Sequence, residues 1–245
     1  APHPHPAPAC PRPTSLAKVQ HSQSATTRAA RMHKVIAVIQ FKLEGQTIKR
    51  NPSFHMDDRL LLDKIDFEKK TVRLPSGEYP LRDCDFPTID PADPYRLSPE
   101  EHALMAQLKN SFLRSEKLQR HISFLYSKGG LYKCFNGNLL YHGCIPMEED
   151  GSFTKLAIGG GIYSGKSLMD YLENQIQRAY FLPQGSPEKQ DASDLMWYLW
   201  CGAKSPVFGK DKMATFEHYF IEDKADGKDI LSPYCRLSTA EAVYS

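Results

Sequence analysis

The sequence has no long apolar run, and this absence excludes one class of protein at the outset. Its apolar stretches reach about five residues, whereas a membrane-spanning helix needs roughly 20. The six cysteines form no CxxC pair and no dense framework, so we expect mostly buried, reduced thiols rather than disulfides. The first 31 residues hold no apolar run typical of a secretory signal. We therefore expect a globular protein of the cytoplasm.

An excess of positive charge is also missing outside the first residues of the chain. The whole sequence has 31 Lys and Arg residues against 29 Asp and Glu residues. Residues 1–31 contain four basic residues and no acidic one, namely Arg12, Lys18, Arg28 and Arg31. The remainder is therefore close to neutral and shows no basic face of the kind that nucleic-acid binding requires. We predict neither a nucleic acid nor a membrane as partner.

The first 31 residues differ in composition from everything that follows. Residues 1–13 read APHPHPAPACPRP, and proline at this density excludes both helix and sheet. Residues 14–31 are rich in Ser, Thr and Ala without strong periodicity. The predicted organisation is therefore a disordered leader over 1–31 and a folded domain over 32–245.

Apolar spacing and capping signals predict the helices. Residues 32–43 have helical spacing, and Gly45 is expected to end that helix. Ser98, Pro99 and Glu101 are typical of a helix start, and helical spacing continues to about residue 128. Further helices are expected over 164–180 and, interrupted by a loop, within 194–221.

Turn signals predict the strands. A Pro-Ser-Gly turn lies within 71–81, and Asn136-Gly137-Asn138 joins the apolar runs 131–135 and 139–143. Asn-Gly between apolar runs is the strongest short hairpin signal. Because strand pairs and helices alternate along the chain, we predict a mixed α and β architecture.

One segment matches a phosphate-binding motif. Residues 160–167 read GGIYSGKS and fit G-x-x-x-x-G-K-[ST], with a short apolar stretch before them and a helix after them. In that interpretation Lys166 and backbone N–H groups would hold phosphates and Ser167 would bind Mg²⁺. Only 78 residues follow Ser167, too few for the further parallel strands of such folds. An ordinary glycine turn before a helix is the favoured interpretation.

Two residues near the end of the 139–143 strand could take part in chemistry. His142 at the strand end could ligate Mn or Zn, although one imidazole alone makes no metal site. Cys144 would point in the same direction as His142 in an extended strand, but a small buried cysteine is the favoured interpretation.

Several long segments of the sequence resemble class 3 fructose-1,6-bisphosphatases, the type found in Firmicutes. The resemblance covers about residues 32–237. The segments that carry it are MHKVIAVIQFKLEGQ (32–46), FHMDDRLLLDKID (54–66), SEKLQRHISFLYSKGGLY (115–132), NGNLLYHGCIPMEEDGSF (136–153), YSGKSLMDYL (163–172) and MWYLWCGAKSPVFGKDKMATFEHYFI (196–221). It implies hydrolysis of D-fructose 1,6-bisphosphate to D-fructose 6-phosphate and phosphate in gluconeogenesis, with Mn²⁺ as cofactor and an oligomer as one possibility.

This family is similar to the calcineurin-type metallophosphatases, whose two-metal site is made by five motifs. Among these, the strand-end His before Gly is matched by His142 in YHGCIP. The motifs D-x-H, G-D-x-x-D-R, G-N-H-[DE] and a late G-H do not occur in the sequence. The resemblance therefore implies an internal or C-terminal fragment with an incomplete metallophosphatase-like β-sandwich, flanked by helices, in which residues 1–31 and 238–245 match nothing expected.

The resemblance leaves the site largely unassigned. His142 is the predicted metal ligand, and Lys166 and Lys210 could approach substrate phosphates without any motif that assigns them. We predict that the chain alone is inactive, because one imidazole cannot hold a metal pair. Two alternatives remain open: a nucleotide-binding protein that uses residues 160–167, and a non-catalytic remnant with exposed apolar surface.

Overall fold

The computed structural model describes residues 15–222, 227–228 and 230–236, with side chains described from residue 27 onward. The chain divides into two units, 1–40 and 41–245. In its described part, the first unit consists of residues 15–40 of the helix Ser15–Arg50. Of the predicted disordered leader over 1–31, residues 1–14 lie outside the described residues, whereas residues 15–31 are helical.

Helices make up most of the described fold. Their bounds are α1 (Ser15–Arg50), α2 (Pro99–Arg114), α3 (Glu116–Lys128), α4 (Gly165–Phe181), α5 (Pro187–Cys201), α6 (Thr215–Phe220) and α7 (Pro233–Arg236). Three short 3₁₀ turns follow α1, at Pro52–Phe54, Asp57–Arg59 and Leu62–Lys64. Among the described residues, no helix has the length and apolar content needed to cross a bilayer.

The strands form small antiparallel sheets. Their bounds are β1 (Ile65–Asp66), β2 (Thr71–Leu74), β3 (Gly77–Pro80), β4 (Tyr132–Phe135), β5 (Asn138–Tyr141), β6 (Leu156–Ile158) and β7 (Gly161–Tyr163). The first three make one sheet in the order β1-β2-β3, and β4-β5 and β6-β7 are separate hairpins. The mixed α and β class is confirmed, although these sheets are smaller than the predicted partial sandwich implies.

Helix α1 differs from the prediction at both ends. It begins at Ser15 rather than near Met32, and it continues to Arg50 instead of ending at Gly45. An added Cβ at Gly45 would lie 2.0 Å from Cδ1 of Tyr95. The glycine therefore makes room for the buried Tyr95 ring, which the sequence pattern did not indicate.

The predicted helix over 98–128 is two helices. Its start is confirmed, since the Ser98 Oγ accepts a hydrogen bond from the Glu101 N–H and the Glu101 carboxylate accepts one from the Ser98 N–H. Ser115, however, has extended backbone angles (φ −75°, ψ 97°) and separates α2 from α3. Such a break leaves the apolar periodicity on both sides intact, so the periodicity did not reveal it.

The predicted hairpin around Asn136 and Gly137 is confirmed. Phe135 pairs with Asn138, so the turn consists of Asn136 and Gly137. Both have positive φ, 49° and 74°, as a type I′ turn requires. The hairpin over 71–81 and the helix α4 are also found as predicted, and the helix–loop–helix within 194–221 is present, although its first helix α5 already begins at Pro187.

Two groups of side chains form the core of the 41–245 unit. Helices α4 and α5 pack together over a cluster centred on Leu168, Leu172, Leu195 and Leu199, which also includes Phe54 and Tyr198. The second group is aromatic and contains Phe41, Phe86, Phe216 and Phe220, with ring centroids 5.1–6.1 Å apart. Val207 and Met213, from the loop 202–214 between α5 and α6, pack against the first group. The candidate site lies beside this loop.

Candidate functional site

His142 follows directly after β5, and its side chain is exposed. The next residue explains the local path, because a Cβ at Gly143 would lie 2.4 Å from the Pro206 carbonyl oxygen. The Cys144 N–H then donates to that same carbonyl at 2.9 Å. Gly143 therefore allows its backbone to pass close to the backbone of Pro206. Because His142 precedes it directly, His142 lies beside the loop 202–214.

A metal centre is not formed by the described residues alone. Within 27–222, 227–228 and 230–236, no group of three or more His, Cys, Asp or Glu side chains is arranged to hold an ion. His142 is a single exposed imidazole, and the residues present therefore do not fit Mn²⁺ without further ligands. Its role as a metal ligand stays a prediction.

The expectation of reduced thiols is wrong for two cysteines. Cys144 and Cys235 form a disulfide across a sequence separation of 91, with Cα atoms 5.3 Å apart. A backbone hydrogen bond joins the same two segments, because the Met147 N–H donates to the Tyr234 carbonyl at 2.8 Å. Cys144 is therefore not a free thiol and cannot act as a thiolate nucleophile in this state. Among the described cysteines, Cys84, Cys134 and Cys201 form no disulfide.

The phosphate-binding interpretation of residues 160–167 is not supported by the backbone. Residues 161–163 form strand β7, which pairs with β6 through Ile158↔Gly161 and Leu156↔Tyr163. A phosphate loop needs backbone N–H groups that are free to converge on an anion, whereas this segment is a hairpin with a Gly159-Gly160 turn. Ser167 Oγ donates to the Ser164 carbonyl and accepts from the Ser164 N–H. The motif is therefore a glycine turn followed by a helix cap.

Lys166 is an exposed side chain with its charge already paired. Its Nζ lies 2.6 Å from Asp170 Oδ2, one helical turn further along α4. The Tyr132 hydroxyl donates to the same carboxylate at 2.7 Å. The hydrogen bond with Asp170 raises the pKa of Lys166 above its ordinary value. A phosphate would have to compete with Asp170, and the predicted contact is untested.

Lys210, the other predicted phosphate contact, lies in the loop 202–214. Its backbone forms an antiparallel bridge with Leu231, and its side chain is partly buried. The next residue, Asp211, lines a cavity that Lys210 itself does not line. The phosphate contact of Lys210 stays a prediction, although this residue lies next to that cavity in sequence.

This cavity encloses about 400 Å³ and contains residues that sequence reasoning missed. We refer to it as the basic cavity. Its lining comprises Ser53, Phe54, His55, Met56, Asp58, Arg59, Lys155, Leu156, Ala157, Tyr198, Ala203, Lys204, Asp211, Lys212 and Tyr234. The lining therefore includes four cationic side chains, Arg59, Lys155, Lys204 and Lys212, and two acidic ones, Asp58 and Asp211. These six residues come from four separate stretches of sequence, so no spacing pattern could have predicted that they lie together.

The wall of the basic cavity is held by an ion pair. Arg59 donates to both Glu217 carboxylate oxygens, at 2.6 and 3.0 Å, and to the Met213 carbonyl at 2.8 Å. The Glu217 side chain is fully buried, and Lys212 Nζ approaches it at 3.6 Å. The Arg59 guanidinium therefore uses its hydrogen bonds within the protein. The lysines of the basic cavity are the cations that remain available to a ligand.

The chain is similar to a family of known enzymes over nearly its whole length. Residues 9–245 match the family model described as Firmicute fructose-1,6-bisphosphatase, so the match extends beyond the 32–237 expected from the sequence. Among curated proteins, the class 3 fructose-1,6-bisphosphatase of Clostridium novyi is 51% identical over 91% of this chain. The proteins of the same name from Clostridium tetani and Alkaliphilus metalliredigens are 54% and 50% identical over 86% and 94% of it.

The comparisons also show a difference in length. The chain spans about a third of these relatives, since it covers 33%, 32% and 35% of them. Among solved structures, none matches the chain.

Proposed function

Because the chain belongs to the Firmicute fructose-1,6-bisphosphatase family, we propose that it acts as part of an enzyme that hydrolyses D-fructose 1,6-bisphosphate to D-fructose 6-phosphate and phosphate. The observation that carries this proposal is an identity of about one half to class 3 fructose-1,6-bisphosphatases over most of the chain. Mn²⁺ as cofactor and His142 as one of its ligands belong to the same proposal. Location in the cytoplasm stays a prediction.

The chain alone is expected to be inactive. Its described residues offer no group of three metal ligands, and it spans a third of the relatives' length. Catalysis therefore needs further polypeptide that supplies the missing ligands. No step of the reaction can be assigned to the described residues without them.

The surface around β4 and β5 supports a need for further polypeptide. Phe135, Leu139 and Leu140 are 60%, 47% and 54% exposed on this two-stranded sheet. Helix α3 beside it in sequence has no buried residue, and its Phe124 and Leu125 are both 63% exposed. Apolar surface of this extent usually marks an interface. A fragment and a non-catalytic remnant would both show it, so only activity separates them.

The proposed function can be tested with a chimera. The matching third of the Clostridium novyi relative is replaced by this chain, and Mn²⁺-dependent phosphate release from fructose 1,6-bisphosphate is measured. We expect an active chimera and no activity from the 245-residue chain alone. A folded but inactive chimera would identify the chain as a remnant, and activity of the isolated chain would contradict its dependence on further polypeptide.

Within the chimera, a matched pair of substitutions tests His142. The change His142→Ala should remove most of the activity, because a metal ligand cannot be replaced by a methyl group. The change His121→Ala is the control, since His121 is an exposed histidine on α3. Near-normal activity of the His142 variant would contradict the ligand role.

A further inference from the structure

The disulfide joins two segments that border the candidate site. Cys144 follows His142 by two residues, and Cys235 lies in the four-residue helix α7. Both cysteines are buried, with 3% and 2% of their area exposed. Their sulfur atoms lie 3.9 and 3.8 Å from the Ser205 carbonyl oxygen. The bond therefore fastens α7 and the segment after β5 to each other against the loop 202–214.

Hydrogen bonds align the same segments independently of the disulfide. The Met147 N–H, three residues after Cys144, donates to the Tyr234 carbonyl of α7 at 2.8 Å. The Ser232 N–H, directly before α7, donates to the Gly209 carbonyl at 2.9 Å. Each such bond contributes little net stability, because water competes for the same groups. These contacts keep the two cysteines near each other when the disulfide is open, so that the bond can form again.

The predicted location of the chain bears on how long the disulfide lasts. The sequence predicts a protein of the cytoplasm, where cellular thiols and dithiols keep most cysteines reduced. Disulfides that do form there are usually transient and either catalytic or redox-sensing. Cys84, Cys134 and Cys201 form no disulfide. In the described part of the chain, cross-linking is therefore confined to the pair beside His142.

We propose that Cys144 and Cys235 form a reversible redox switch, in which a cellular dithiol opens the disulfide and thereby loosens the attachment of α7 and residues 143–147 to the loop 202–214. One thiolate of the dithiol attacks a protein sulfur and displaces the other as a thiolate. The second thiol of the reductant then attacks the mixed disulfide, closes its own cyclic disulfide and releases the second protein thiol. Two electrons pass to the protein, and the two protons of the dithiol end on the two cysteines.

Helix α7 provides the local opening that this reaction requires. Its Cys235 side chain is buried, whereas Pro233 and Arg236 are exposed. A short element with few buried side chains opens at a lower free energy than the core. Its opening also moves Tyr234, which lines the basic cavity, and frees the backbone directly after His142. The switch needs neither metal nor substrate, so it goes beyond the proposed function and can fail independently of it.

The first experiment is a redox titration of the unaltered 245-residue chain in mixtures of reduced and oxidised dithiothreitol. Free thiols are trapped by rapid alkylation, and each cysteine is quantified by mass spectrometry. We expect Cys144 and Cys235 to change state together, with the same midpoint reached from either direction, while the exposed Cys134 stays a free thiol. A chain in which this disulfide never forms, or stays closed in excess dithiothreitol without denaturant, would overturn the proposal.

The second experiment compares amide hydrogen exchange in the oxidised and reduced chains. Reduction should speed exchange by about tenfold or more in peptides that cover 143–147 and 232–236, and should leave α4 unchanged. The variant Cys144→Ser/Cys235→Ser should exchange like the reduced chain even in oxidant. The matched control, Cys84→Ser/Cys134→Ser, should respond to reduction like the unaltered chain. Equal exchange in the two states of the unaltered chain would overturn the proposal, whether or not the serine variants fold.

Discussion

Lys42 Nζ lies 2.7 Å from Glu101 Oε2, and both side chains are buried, with 0% and 7% of their area exposed. Lys42 also donates to the Thr88 carbonyl at 2.6 Å, and the Thr88 hydroxyl donates to Glu101 Oε1 at 2.7 Å. The same carboxylate accepts the Ser98 N–H at 2.8 Å. One glutamate therefore joins α1, the connection before α2 and the start of α2.

Removal of the Glu101 charge should change the pH dependence of stability. Burial alone would raise the pKa of Glu101, but hydrogen bonds from Lys42, Thr88 and Ser98 outweigh it and the pKa is lowered from 4.5. Because the pKa of Glu101 is lower in the folded chain, its ionised carboxylate stabilises the fold at pH values above the ordinary pKa. This stabilisation is lost as the pH falls through the pKa of the folded state. Glu101→Gln should cost about 3 kcal/mol at pH 7. Its stability should also fall less steeply than that of the unaltered chain below about pH 4.5.

The measurement for Glu101 is urea unfolding between pH 3 and pH 7. Glu116→Gln is the control, because Glu116 is an exposed glutamate in the first turn of α3. An equally steep loss of stability in acid for the Glu101 variant would contradict the role given to this carboxylate.

Arg59 and Glu217 should show strong coupling. Glu217→Leu leaves the Arg59 guanidinium, whose side chain is 11% exposed, without its carboxylate, and should cost about 3–5 kcal/mol. The double change Arg59→Met/Glu217→Leu should recover most of that loss, because no buried charge remains unpaired. A double-mutant cycle from urea unfolding measures the coupling, and additive losses would show that the two side chains act independently.

The substitution Gly45→Ala should have opposite effects on stability in the unaltered chain and in a chain that carries Tyr95→Ala. In the unaltered chain, Gly45→Ala drives a Cβ into the Tyr95 ring, 2.0 Å from Cδ1, so the clash outweighs the gain in helix propensity of about 1 kcal/mol. With Tyr95→Ala already present, the same change should stabilise by up to about 1 kcal/mol. Thermal unfolding of the four proteins decides this, and destabilisation in both backgrounds would contradict the packing role.

Thr154 carries a buried hydroxyl without a hydrogen-bond partner among the described residues. Because that oxygen bears a desolvation cost with no compensation, Thr154→Val should be neutral or stabilising by up to about 1 kcal/mol. The control is Thr47→Val, since the buried Thr47 hydroxyl donates to the Leu43 carbonyl at 3.0 Å and accepts from Arg50. That change should cost about 1 kcal/mol. Equal losses for both variants in urea unfolding would contradict the prediction.

The apolar surface of β4 and β5 should matter only in the longer protein. Substitution of Leu139 and Leu140 by Ser should change the stability of the 245-residue chain by less than about 0.5 kcal/mol, because both side chains are exposed. The same pair should lower the activity of the chimera if further polypeptide covers this surface. Full activity together with unchanged stability would show that the surface stays exposed.

Features determined by near neighbours in sequence were predicted correctly. The capping box of Ser98 and Glu101 and the turn of Asn136 and Gly137 use hydrogen bonds and φ angles within four residues, so their pattern is visible in one sequence. The family was also recognisable, because its segments are long and specific.

Features determined by distant contacts were not predictable. Gly45 is explained only by Tyr95, and the pairing of Cys144 with Cys235 spans 91 residues. Residues 160–167 match the sequence pattern of a phosphate-binding loop, but the pairing of β7 with β6 gives their backbone the conformation of a hairpin instead. Lys155 and Lys204 become neighbours across one cavity only after the chain folds. The sequence by itself determined the local elements and the family, while tertiary structure decided which charges meet, since side chains far apart in sequence can share a site only once packing has closed the loops between them.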